Sequence, residues 1–448
     1  MANILFVAYH FAPESSSGTH RGLHFARALM DAGHGVSVIA GPEPPVARSD
    51  PSLNQVFPWP DRVRRVGPRA TVGTLYVRWN RRRRPRAQGV ASADPAPSAG
   101  SKGALSRVLA RLRYHLRIWE ALPDHQRAWS GPALRAGLSV GRGIRADAVF
   151  ASGPPWTGVM VGHRIAKVLG VPFIADFRDP WTDGSGATWC YGTEWAQRRV
   201  GRWEAAVLAD AALVCFNSPR LAAVAEARSQ LGTRCHVILN GSDVPRRTAP
   251  TTFPRSQPLG FRHFGSLYAG RSIGPLLQAL NHLVREGTVR PDEVEVELVG
   301  DSDPPLSRHP DLANALVPVR ALPHVTFAEA VSRMSEPGVL VSVQSEQHAN
   351  LIPTKLFDYL CTGNPVLVLS PHASASWDVA SPFGRCYRFD LTPTEWNRRV
   401  LAEIIATWRC GALQQVPAAE DTQALAKPRI GAEFAGLVAD LVTGRQGG

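Results

Sequence analysis

Short, continuously apolar runs, each followed by a helix-length segment, recur through both halves of this chain and leave few folds open to it. In the first half they are Asn3–Tyr9, Gly35–Ala40, Asp147–Ala151, Val171–Asp176, Ala211–Phe216 and His236–Leu239, with a helical pattern over Gly18–Ala32. In the second half they are Gly260–Gly265, Glu295–Val299, His324–Phe327, Val339–Val343 and Val366–Leu369. Runs of Val, Ile and Ala without strict alternation suit strands buried on both faces, and intervening helices suit a parallel sheet. Between the halves, Asp243–Leu259 is rich in Pro, Thr and Arg and lacks periodicity, as a linker does. A chain of 448 residues also exceeds the ~250–300 at which a single core stops growing. The expectation is α/β: two Rossmann-like, doubly wound parallel-sheet domains facing across a cleft. Residues 1–243 form the first domain, with an insertion at about 61–145, and 244–259 the linker. Residues 260–425 form the second, and 426–448 a C-terminal helix and tail that can cross back to the first.

Charge is concentrated. Between Asp61 and Arg145 there are 19 Lys/Arg against 4 Asp/Glu, a balance of +15, whereas the whole chain carries +13. The basicity is thus local and says little about the rest of the body. The window holds Arg81-Arg82-Arg83-Arg84-Pro85-Arg86 and an Ala/Pro/Ser/Gly stretch to Ala104, which reads as a mobile insertion. Behind it Leu105, Val108, Leu109, Leu112, Leu116 and Trp119 share one face at helical spacing. Such a helix can pack its stripe on the domain or rest on an anionic membrane surface. The window lacks aromatics interleaved on a sheet or a nucleic-acid module, so nucleic-acid binding is disfavoured. Six scattered cysteines with no C-x-x-C pair suit reduced thiols in the cytoplasm. No apolar run reaches the roughly 18 residues of a membrane span, so any membrane association would be peripheral, on the inner face.

The segment from Asn350 to Leu369 carries the most chemistry. Lys355 and Asp358 stand three residues apart at a helix start that closes at Gly363 before a buried strand, so both side chains can meet one ligand. A helix N-terminus suits a phosphate, and a nearby carboxylate suits a pair of sugar hydroxyls. Upstream, Phe264-Gly265-Ser266-Leu267-Tyr268-Ala269-Gly270-Arg271 ends a strand in a loop with a cation. In the first half, the small-residue turn Ser15-Ser16-Ser17-Gly18 opens a helix after the first strand. The strand Phe173-Ile174-Ala175 runs into Asp176-Phe177-Arg178-Asp179-Pro180-Trp181, and charges at a strand's carboxyl end point to ion pairing or to chemistry.

Together these elements resemble the family-4-type glycosyltransferases of the GT-B fold, whose donor signature reads P-S-K-x-x-E-Y-x-A-x-G-x-P-V. The D-F-R-D-P-W element is similar to one subgroup, and Asn240-Gly241-Ser242-Asp243 is similar to the family's I-x-N-G-V-D. The family's two glutamates are replaced by Asn350 and Asp358, so the first carboxylate is missing and the second is shortened. The resemblance implies a hexosyltransferase-type reaction: a sugar moves from a nucleotide-diphosphate donor to an acceptor hydroxyl, with retention. The basic window alone points to a carbohydrate or lipid-linked acceptor at the cytoplasmic membrane face, in polysaccharide or glycolipid biosynthesis. The resemblance also implies donor binding by Gly18, Gly265, Ser266, Arg271, Asn350, Thr354, Lys355 and Asp358, and catalytic roles among Asp176, Arg178 and Asp179. Asp176 can instead serve only to hold Arg178. Arg271 and Lys355 would supply two cations for two phosphates, so no metal or other cofactor is expected; Asp301-Ser302-Asp303 matches a metal motif in letters only. A nucleotide-sugar epimerase or hydrolase on the same fold is the alternative.

Overall fold

The computed structural model describes residues 1–46, 49–69, 115, 118–182, 193–267, 270–300, 312–418 and 420–444. The arginine run 81–86, the stretch to Ala104, most of the amphipathic stripe behind it, Tyr268, Ala269 and the 301–303 motif lie outside these residues. The chain divides into two compact units: residues 1–216, 222–238 and 431–448 form the first, and 217–221 with 239–430 the second.

Among the described residues, the first unit is built on a parallel seven-stranded sheet. Its strands are β1 (Asn3–Ala8), β2 (Gly35–Ala40), β3 (Val63–Arg65), β4 (Ala148–Gly153), β5 (Phe173–Phe177), β6 (Leu213–Phe216) and β7 (Cys235–Val237), in the order β3-β2-β1-β4-β5-β6-β7. Ile4 to Val7 of β1 are wholly buried, as its central position between β2 and β4 requires. Strand order reverses between β1 and β4, and ligands of open α/β sheets bind beyond the carboxyl ends of the strands at such a switch. From Gly431 onward the C-terminal helix Lys427–Thr443 packs into this unit, where Phe434 stacks on Phe25 at 4.1 Å and meets Phe150 edge-on.

The second unit carries a two-stranded ribbon, β8 (Thr251–Thr252) with β15 (Gln414–Gln415), beside a parallel six-stranded sheet. The sheet's strands are β9 (Leu259–Phe264), β10 (Val294–Val299), β11 (Val319–Leu322), β12 (Val339–Val343), β13 (Val366–Leu369) and β14 (Cys386–Phe389), in the order β11-β10-β9-β12-β13-β14. Its switch lies between β9 and β12. One expectation needs correction: His324–Phe327 is not a strand. Thr326 caps the helix Phe327–Ser335 by accepting from the Glu329 N–H, and the strand lies earlier, at Val319–Leu322. Thr326-Phe327-Ala328-Glu329 is a capping signature, and it overrides the local alternation of apolar residues.

The helix Thr354–Thr362 is stopped by Gly363, whose φ of +74° a side chain would strain and whose missing Cβ would fall 2.1 Å from the Val416 carbonyl oxygen. Tyr359 ties this helix to the end of β9, because its hydroxyl accepts from the Phe264 N–H at 2.9 Å and donates to the Phe264 carbonyl at 3.2 Å. That pair of hydrogen bonds holds the helix against the end of β9. No helix among the described residues is long and apolar enough to cross a membrane.

Candidate functional site

In the first unit, polar side chains gather at the carboxyl ends of β1, β4 and β5. Beyond β1 the chain turns through Tyr9, His10 and Phe11. Phe11 is buried edge-on against Phe57, and the Arg65 guanidinium donates to the carbonyls of Phe11 and Ala12 while pairing with Glu43 at 2.7 Å. These contacts hold the turn. His10 Nδ1 lies 2.8 Å from Glu14 Oε1, and Tyr9 packs edge-on against both His10 and Trp129.

Gly18, in the first turn of the helix Ser17–Asp31, is where this turn meets the D-F-R-D-P-W segment. A Cβ there would stand 2.8 Å from Arg178 Nη1 and 3.1 Å from His10 Cδ2. A side chain there would have to push one of the two aside. Arg178 itself is mostly buried; its N–H donates to the Gly153 carbonyl at 3.0 Å and its Nη2 to the Pro154 carbonyl at 2.9 Å. Asp179, 37% exposed, lies 3.8 Å from Arg178 Nε. The segment is stiffened from behind by Trp156 and Trp181, stacked 4.7 Å apart and fully buried.

Asp176 has a different partner from the one the sequence suggested. Its carboxylate accepts from Arg21 Nε and Nη2 at 2.8–3.0 Å and from Ser152 Oγ at 2.6 Å, and the pair is sealed from solvent. Arg21, not Arg178, is the cation it holds, and the pair joins the helix Ser17–Asp31 to β4 and β5.

In the second unit the loops after β9 and β12 and the helix Thr354–Thr362 converge. Gly265 (φ +147°) donates its N–H to the Val299 carbonyl, and a Cβ on Gly300 (φ +138°) would stand 2.6 Å from the Gly265 oxygen. Two glycines therefore let the backbones beyond β9 and β10 touch. The Lys355 stem passes this point, with Cδ 3.8 Å from where a Gly265 Cβ would lie; among the described residues its ammonium has no hydrogen-bond or ion-pair partner. Arg271 Nε donates to Gln344 Oε1 at 3.3 Å, and Gln344 in turn donates to the Leu351 carbonyl, so the cation is braced across the switch point. Beneath them is His263, whose Nδ1–H donates to the Val341 carbonyl at 2.8 Å, leaving a buried Nε2 without a partner. Burial pushes this imidazole down to about 4, the Val341 bond opposes that, and Lys355 and Arg271 lower it further.

The remaining candidates divide. Ser266 and Asn350 are half-buried in these loops, and Thr354 is exposed at the helix start. Asp358 is 5% exposed and accepts from Ser242 Oγ at 2.6 Å. Burial pushes its carboxyl up to about 6, held back by the Ser242 bond and by Lys427 and Lys355. Sequence reasoning assigned no role to His10, Glu14, Arg21, Ser152, Ser242 or His263. Only the His10–Glu14 spacing of four residues carried a local signal.

No protein-family profile matches the sequence, and no curated protein matches it. Solved structures do. Sucrose-phosphate synthase of Thermosynechococcus elongatus superposes with a TM-score of 0.59 at 14% identity, over 99% of this chain and 100% of that one. HepE of Anabaena, crystallised in complex with UDP, gives 0.54 at 14% identity over 99% and 97%. A glycosyltransferase of Rickettsia africae gives 0.54 at 10% identity over 98% of both chains. A likeness that runs nearly end to end, over one parallel sheet of seven strands and another of six, identifies the architecture: the chain has the GT-B fold.

Proposed function

We propose that this chain is a glycosyltransferase moving a sugar from a nucleotide-diphosphate donor to an acceptor hydroxyl. The observation that carries the reading is the meeting of Gly265, Arg271 and Lys355 at the switch point of the second sheet, beside the N-terminus of Thr354–Thr362. A guanidinium braced from behind, an ammonium with no ion-pair partner among the described residues and a positive helix end suit a diphosphate, and they stabilise the charge that develops as it departs. Asp358 is the ribose end of this pocket, where sugar hydroxyls would replace Ser242 as donors to the carboxylate. Arg178 and Asp179, with Gly18 beside them, handle the acceptor. The UDP and UDP-glucose complexes solved for HepE support a uridine donor as the first to try.

The resemblance described at the outset extends the proposal to a family-4-type, metal-independent and retaining reaction. The charge of the basic insertion, rather than the resemblance, is what supports contact with an anionic membrane surface and, with it, polysaccharide or glycolipid biosynthesis. The product anomer, read by NMR, tests retention.

A thermal-shift screen against UDP-, GDP- and ADP-sugars tests the central claim. A ligand at 100 times its Kd stabilises the native state by about 2.7 kcal/mol. Losing a charge-assisted contact of roughly 1.5–3 kcal/mol weakens binding about 10- to 100-fold, so Arg271→Ala and Lys355→Ala should each do so. A screen with no shift, or variants that bind as wild type does, would overturn the donor site.

A further inference from the structure

We propose that His263 is a positioning residue of the donor site: its Nε2 accepts one hydrogen of the Lys355 ammonium and so aims the other two at the diphosphate. The inference rests on the donor site proposed above and adds to it a residue that the sequence motifs left out. Every group it uses lies in the second unit.

The imidazole sits where the sheet opens. Among the described residues the register of β9 with β12 pairs Phe261 with Val339 and Arg262 with Leu340, and goes no further. At the next position a side chain takes over from the backbone, because His263 Nδ1–H donates to the Val341 carbonyl at 2.8 Å. A carbonyl can only accept, so the ring proton is on Nδ1 and the lone pair on Nε2. His263 is 6% exposed, and among the described residues its buried Nε2 has no partner. A buried acceptor left in that state is costly, and an asparagine would suffice to hold Val341. The ring reaches further than that bond requires.

What it reaches is the space beside Gly265. Nε2 stands 3.5 Å, and Lys355 Cδ 3.8 Å, from the point where a Gly265 Cβ would lie. The glycine leaves room between them. The ammonium, two bonds beyond Cδ, comes within reach of Nε2 by rotation at the end of its own side chain. An ionised diphosphate offers only acceptor oxygens, so it cannot satisfy the lone pair of Nε2. The ammonium has three donors and, among the described residues, no other partner. A neutral acceptor is also the right kind of anchor. A carboxylate in its place would offset the charge that the diphosphate needs, whereas an imidazole orients the ammonium and leaves that charge whole. Burial, with the fields of Lys355 and Arg271, holds the ring down at about 4, so it stays neutral at pH 7.

The test is a double-mutant cycle on the full chain, with UDP affinity read by calorimetry. His263→Asn keeps an amide N–H for the Val341 carbonyl and removes the acceptor at the Nε2 position. It should weaken UDP binding about 10-fold, whereas His263→Gln, which returns an oxygen near that position, should stay within about threefold of wild type. In a Lys355→Met background His263→Asn should have no further effect, because the bond it removes is already gone. A residue that merely packs would weaken binding equally in both backgrounds. Nitrogen-15 NMR of the histidines, with His263 assigned from its variants, reads the bond directly in wild type. It should show Nδ1–H at pH 7, and saturating UDP should shift Nε2 upfield, as befits a nitrogen that becomes an acceptor. Equal losses in both backgrounds, or an Nε2 resonance that UDP leaves in place, overturn the anchor while the donor site stands. A wild type that binds none of UDP, GDP and ADP overturns the donor site, and the anchor with it.

Discussion

Replacing Asp358 by Asn should make the second unit less sensitive to rising pH. The carboxylate is 5% exposed, and burial pushes it from an ordinary 3.8 up to about 6 despite the Ser242 bond and the fields of Lys427 and Lys355. Below the ordinary value the group is protonated in both the folded and unfolded chains and has no differential effect. Between that value and about 6, the unfolded chain has released a proton that the folded one retains. Stability therefore falls as pH rises, by about 1.4 kcal/mol per unit. Two units or so amount to about 3 kcal/mol, fully lost above pH 6 to 7. Other groups titrate in the same range, some in the opposite sense, so the quantity to read is a difference between proteins. Urea unfolding of wild type and Asp358→Asn at pH 4, 5, 6 and 7.5 supplies it. Asn keeps an oxygen for the Ser242 hydroxyl and cannot ionise, so the variant should gain about 3 kcal/mol on wild type across this span. A difference that stays flat, or grows in wild type's favour as pH rises, would mean that the lysines outweigh burial and that the carboxylate is already ionised at pH 4.

Two further substitutions probe the frame of each unit. Arg21→Ala strands the sealed Asp176 carboxylate with Ser152 alone and should cost about 3–5 kcal/mol in the urea unfolding of the first unit; a loss below about 1 kcal/mol would show that water reaches the site. Gly300→Ala drives a methyl to 2.6 Å from the Gly265 oxygen at a φ of +138°, straining the backbone by roughly 1–3 kcal/mol. Under the proposed function it should weaken UDP binding, measured by calorimetry, as much as Lys355→Ala does; unchanged affinity would separate the glycine pair from the donor site.

The parts of the fold legible in the sequence are those that water decides. β2, β12 and β13 fall where their apolar runs lie, because a strand covered on both faces is apolar over most of its length. β3 and β14 end their sheets, keep half-buried or exposed positions, and so leave no such run. The misplaced strand at His324–Phe327 failed for a different reason: its two apolar residues, Val325 and Phe327, flank a helix N-cap, and Thr326 decides the matter through one backbone hydrogen bond.

The candidate sites were legible in composition but not in pairing. Asp176 and Asp179 look alike in the sequence, two carboxylates around one arginine at a strand's end. The structure buries one against an arginine 155 residues away and leaves the other partly in water. Asp358 likewise looks like the exposed partner of Lys355 on a helix face, yet a serine 116 residues upstream closes over it. Helical spacing fixes which side chains share a face; it does not fix what packs onto that face, and the packing sets whether a carboxylate is a structural anchor, a titrating group or a ligand's contact. His10 and Glu14 are the converse case. Their four-residue spacing was visible from the start, but an i, i+4 pair outside a helix means nothing until the turn that joins them is fixed. Arg65 fixes it here by binding the carbonyls of Phe11 and Ala12. Loops fastened by distant side chains are therefore where reading by sequence fails first, and in a sheet that presents its ligands on loops they are also where function resides.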